Sequence, residues 1–114
     1  MTIVDEKFSE WTADQKLTFL ETLSHHLTIE IRGIWSDDRL TAEKMVERIK
    51  WINELHHRLP MWARSVRLNQ TDQLKYIGAD IEHRANCQPI ISNIIKRSVD
   101  KCIEFADREK ASSK

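Results

Sequence analysis

Between Pro89 and Ala106 the chain reads PIISNIIKRSVDKCIEFA, and the spacing of its apolar residues constrains the fold more than any other feature. Ile90, Ile91, Ile94, Ile95, Val99, Cys102, Ile103, Phe105 and Ala106 recur at helical intervals and cover more than half of a helix's circumference. Pro89 suits the first turn, where no backbone N–H is needed. A stripe that wide cannot be hidden by one neighbour, so the spacing predicts a central, largely buried helix over about 89–108.

Three narrower stripes supply the neighbours. Thr12 and Gln15 have capping-box spacing, and Leu17, Leu20, Leu23, Leu27, Ile31 and Ile34 follow up to Gly33, a plausible stop, giving a helix over 12–34. Ser36, Asp37 and Asp38 are good N-cap types. Behind them Ala42, Met45, Ile49, Ile52, Leu55 and Leu59 predict a helix over 38–59, which Pro60 should end by removing a donor and clashing with the preceding turn. MWARSVRL then reads as a short helical turn near 60–68, NQTD as a loop and cap, and Leu74, Ile77, Ile81 and Ala85 as a helix over 71–86. Only two Gly and two Pro in 114 residues leave little material for a turn-rich sheet fold. The expected architecture is all-α, a four-helix bundle-like single domain over 1–108 with a frayed tail at 109–114.

The N-terminus MTIVDEKF has no basic region followed by an apolar stretch, and no apolar run is long enough to span a bilayer. The expectation is a cytoplasmic protein with no membrane partner, whose Cys87 and Cys102 are reduced and buried. Residues 1–57 hold 7 Lys/Arg against 11 Asp/Glu, a net −4, and residues 58–114 hold 11 against 7, a net +4. Such halves can attract within one fold or between two copies, and the balance excludes a generally basic nucleic-acid binder.

Glu54 and His57 have the E-x-x-H spacing of helical metal sites, and Asp80 with His83 echoes it, with Glu30 and Glu104 elsewhere. On a regular helix, however, Glu54 lies roughly 180° and His83 roughly 160° from the centre of its own apolar stripe. Ligands of a core metal must point inward, so no metal, cofactor or catalytic residue is expected. His25-His26 and His56-His57 could form a surface site, but in an antiparallel hairpin of 12–34 and 38–59 they fall roughly 12 Å out of level. His56 is expected at the core margin. No nucleophile elbow, Gly-rich oxyanion loop or phosphate cradle is present.

Arg58, Arg64 and Arg67 with Trp62 form a basic-aromatic cluster of the kind that single-stranded nucleic acid or a phosphate-bearing ligand could use. Phe19, Ile29 and Trp51 fall outside the main stripes of their helices, as residues of a second packing layer or a protein interface do. The off-stripe set predicts a non-catalytic interaction or regulatory module, with a second copy or another protein as partner, through helices one and two. A small enzyme or metal-binding protein using Glu54 and His57 is the alternative, and a weak nucleic-acid or phosphate binder through Arg58, Arg64 and Arg67 the second alternative.

LTIEIRGIW (Leu27–Trp35), followed about twenty residues on by RIKWINELHHRL (Arg48–Leu59), resembles a family of small bacterial helical proteins with an L-T-x-x-x-R-x-x-aromatic helix end and an N-E-x-x-H-R helix end. The resemblance covers roughly the first 60 residues of the chain. No activity is established for that family, so it implies a cytoplasmic helical protein of bacterial type and nothing chemical. Position by position it singles out Thr28, Arg32, Asn53, Glu54, His57 and Arg58, residues expected to join in a polar network at a helix–helix or subunit contact.

Overall fold

A computed structural model describes the backbone of residues 4–112 and the side chains of residues 6–108. The chain is all-helical, with α1 (Val4–Glu10), α2 (Ala13–Trp35), α3 (Ala42–Arg67), α4 (Thr71–Cys87) and α5 (Pro89–Ser112). No strand occurs among the described residues. Five helices therefore replace the expected four, and several limits move. The expected tail is helical as far as Ser112, and residues 113–114 lie outside the described residues.

At the start of α2 the capping box forms as its spacing requires. Thr12 Oγ1 accepts the Gln15 N–H at 3.2 Å and Gln15 Oε1 accepts the Thr12 N–H at 3.0 Å. Gly33 does not stop the helix. It has no positive φ, and α2 runs on to a cap at Ser36.

The N-cap of α3 is Thr41, whose Oγ1 accepts the Lys44 N–H at 3.3 Å, and not one of Ser36, Asp37 and Asp38. Asp37 is engaged otherwise. Its Oδ1 accepts the Arg39 N–H at 3.0 Å and Arg39 Nε at 3.1 Å, closing a side-chain turn in the connection, and these bonds hold the Asp37 carboxyl below its usual range. The later start of α3 lengthens the connection and shifts the α2–α3 register. Ser24 Oγ lies 3.1 Å from His56 Nε2, so the two His dipeptides are nearly level along the hairpin and not 12 Å apart.

Pro60 does not end the second long helix. α3 continues through it to Arg67, and the segment 60–68 expected as a separate turn is the last part of α3. Ile52, Leu55, Leu59, Trp62 and Val66, at spacings of three and four, are all buried. Burial of Trp62 and Val66 is worth about 1.5–3 kcal/mol per side chain. Together these offset the roughly 3 kcal/mol that an interior proline costs a helix. Pro60 is itself exposed, on the shallow cleft between α2 and α3. The real stop lies at Asn69, which adopts a left-handed φ of 51°. Its N–H bonds Val66 O at 3.1 Å while the Gln70 N–H bonds Ser65 O at 3.0 Å, a Schellman closure with asparagine in the glycine place.

Among the long helices α2 packs against α3 and α5, α4 against α5, and α3 more sparingly against α4. α5 thus lies between α2 and α4, burying Ile91, Ile94, Ile95, Val99 and Cys102, while Phe105 at the edge of its wide stripe stays exposed. α1 packs against α4. There Phe8 and Trp11 meet Phe19 with ring centroids 6.2 and 5.3 Å apart, and Lys16 Nζ sits 5.4 Å from the Phe8 ring centre. The opposite charges of the two chain halves meet inside this one fold, through Glu54–Arg84 at 3.9 Å and Glu30–Arg97 at 3.6 Å.

Candidate functional site

Of the off-stripe residues, Phe19 is corrected outright. It is fully buried, because the helix α1 that covers it carries too short a pattern to stand out in the sequence. Trp51 is half-buried and packed against the core. It shares open grooves with Gln88, Pro89, Ile90 and Ile91 of the α4–α5 junction, and residues 60–67 continue α3 and do not fold back over it. Ile29 remains exposed on the outer side of α2.

The basic-aromatic cluster is not assembled as a surface. Trp62 is buried, whereas Arg58, Arg64 and Arg67 are exposed. Arg58 and Arg64 are six residues apart, roughly 120° around the helix, so they point to different sides. The expected polar network is also absent within the chain. Thr28 Oγ1 bonds its own helix at Ser24 O, 3.0 Å away, while Arg32, Asn53, His57 and Arg58 lie exposed. Glu54 alone of that set reaches a neighbouring helix, through its ion pair with Arg84.

Glu54 thereby joins a different constellation from the E-x-x-H pair. It faces α4 across a groove of about 320 Å³ lined also by Trp51, Leu55, Asp80, His83, Arg84, Cys87, Gln88 and Ile91. Arg84 Nε donates to Asp80 Oδ1 at 3.2 Å, and Cys87 Sγ lies 3.7 Å from His83 Nε2. Asp80, His83, Arg84 and Cys87 meet here because spacings of three and four set them on one side of α4. That spacing was readable in the sequence. What was not readable was that the α3–α4 register puts Glu54 opposite them. Among the described residues no three His, Cys, Asp or Glu side chains gather around a point that could hold a metal ion. Cys87 is exposed, contrary to expectation, and Cys102 is buried, with its thiol pushed up by desolvation against a Thr22 hydrogen bond that lowers it.

His26, half-buried, is a polar link to the buried Ser98 that sequence reasoning missed. Its Nδ1 lies 2.8 Å from Ser98 Oγ, and Ser98, fully buried on α5, donates its own proton to Ile94 O at 2.9 Å. The hydroxyl can then only accept, so the hydrogen-bond network assigns the proton to His26 Nδ1. Desolvation lowers the His26 pKa, helped by Arg97, His25 and Lys101. The neutral imidazole is the form the fold favours. The unfolded chain takes up its proton near pH 6.5, so the His26 contribution is complete above about pH 6.5 and is lost as pH falls from there through the lower folded value. Urea unfolding on either side of that pH should show the parent losing stability on acidification. His26→Asn, which keeps a donor near Nδ1 but does not titrate, should lose less, and equal losses would refute the linkage.

Among the described residues no helix is long and apolar enough to cross a membrane. No protein-family model, curated protein or solved structure matches the chain.

Proposed function

We propose that this chain is a cytoplasmic, non-catalytic interaction or regulatory module. In this reading its four long helices form an antiparallel bundle that pairs with a second copy through the outer side of α2 and α3. The observation that carries the proposal is the exposure of Trp35 (64%) and Val46 (66%) on that hairpin; Ile29 (50%) lies roughly 120° from Trp35 around α2 and is not part of the same group. Exposed apolar side chains scattered singly need no explanation, but a group of large ones does. The hairpin register supports a group. With Ser24 beside His56, eleven residues onward along α2 is Trp35 and eleven back along α3 is Met45, so Trp35 and Val46 occupy the same end of the hairpin. The resemblance at 27–59 falls on the same two helices, and its exposed Arg32, Asn53 and His57 would supply a polar rim.

The test is solution mass. The parent should scatter light as a dimer at micromolar concentration. Trp35→Ala combined with Val46→Glu should move it to the monomer, because truncating an interface anchor costs about 2 kcal/mol or more, roughly thirtyfold in affinity. Circular dichroism should stay unchanged, since neither side chain belongs to the core. A parent that is monomeric at high micromolar concentration would sink the proposal.

A further inference from the structure

The groove between α3, α4 and the first turn of α5 is separate from the proposed pairing face, and its chemistry is specific enough to name a ligand class. We propose that it binds a small organic ammonium ion with an apolar body, such as a primary amine carried on a ring or a branched chain. Trp51, half-buried in the groove, gives an apolar body a surface to lie on, with Leu55 and Ile91 forming the core beneath it. Two carboxylates, Glu54 and Asp80, share the rim with a single guanidinium, that of Arg84. Among the residues that line the groove one negative charge is therefore left over, with Lys50 one turn before Glu54 on the adjoining surface.

The geometry says which carboxylate has spare capacity. Arg84 Nε is 3.2 Å from Asp80 Oδ1, a hydrogen bond, but Arg84 Nη1 is 3.9 Å from Glu54 Oε2, beyond hydrogen-bond range. Glu54, with its side chain 46% exposed, keeps acceptor positions open to an incoming ammonium. Trp51 lines the same groove one turn before Glu54 on α3, and an indole ring attracts cations to its π face. A carboxylate ligand could reach Arg84 at its Nη groups but would then face both Glu54 and Asp80. At about 320 Å³ the groove is at the lower end of ligand-pocket sizes, which suits a small amine better than a folded segment of another protein.

Phenethylammonium chloride is a suitable probe, with phenylacetate as the oppositely charged control. In ¹⁵N-labelled protein, titration with the amine should shift the Trp51 indole N–H signal saturably and leave those of Trp11, Trp35 and Trp62 in place. Phenylacetate at the same concentrations should leave all four unmoved. Glu54→Gln, an exposed and isosteric change, should weaken amine binding about tenfold with circular dichroism unaltered. The proposal is overturned if the amine gives no saturable shift in the millimolar range, or if phenylacetate binds as well. Full affinity in Glu54→Gln would also overturn it. Tighter binding of N-acetyl-lysine methylamide than of the amine would do the same, since it would assign the groove to a protein side chain.

Discussion

Phe19→Ala should cost about 3–5 kcal/mol of folding stability, the range for removing a buried phenyl ring where the surroundings cannot collapse. Phe19 is fully buried, and its ring is held edge-on or tilted against Phe8 and Trp11, so truncation removes both area and two aromatic contacts. A domain of this size has about 5–15 kcal/mol in total, so the loss takes about a fifth of it or more. Urea unfolding followed by circular dichroism should show the midpoint falling steeply. The spacing of Phe19 on α2 predicts instead an interface residue, for which alanine would lower the solution mass and spare the midpoint. An Ile29→Glu variant, altered on the exposed side of the same helix, is the control and should unfold close to the parent. A Phe19→Ala midpoint within error of the parent would mean that α1 does not cover that ring in solution.

Phe19 also shows where the sequence stops being legible. Long stripes are readable because each repeats its face several times, and α2, α4 and α5 all begin within a residue of where their patterns place them. α1 is seven residues long, two turns, too few to separate a helical period from chance. Its presence turns an off-stripe residue into core. Trp51 repeats the lesson, packed against the core although its place on α3 lies outside the main stripe. Site geometry was less legible still, because it depends on register between helices. An α2–α3 connection a few residues longer than expected brought the two His dipeptides level. Likewise Glu54 was readable as an outward residue of α3, but its Arg84 partner follows only from how α4 is placed beside it.

The α3 proline gives the second large effect, with the opposite sign. Pro60→Ala should stabilise the fold by about 2 kcal/mol. Proline inside a helix costs about 3 kcal/mol, because it cannot donate to the carbonyl of His56 and its ring presses on that same carbonyl. Replacing it also frees the unfolded chain, which returns about 0.4–1 kcal/mol of that gain. The helix term is the larger, so the sign is settled. An alternative is that Pro60 bends α3 and thereby swings Trp62 and Val66 into the core. The spacing of buried residues argues against it: Leu55, Leu59, Trp62 and Val66 keep one phase across the proline, as an unbent helix would. Pro60 lines the shallow cleft between α2 and α3 and is exposed there, so an alanine leaves no cavity in the core. Thermal and urea unfolding should both move upward, with helicity by circular dichroism equal to the parent or slightly greater. A Pro60→Ala protein less stable than the parent would show that the bend is what brings Trp62 and Val66 inward, and that the proline serves the packing of α3 rather than opposing it.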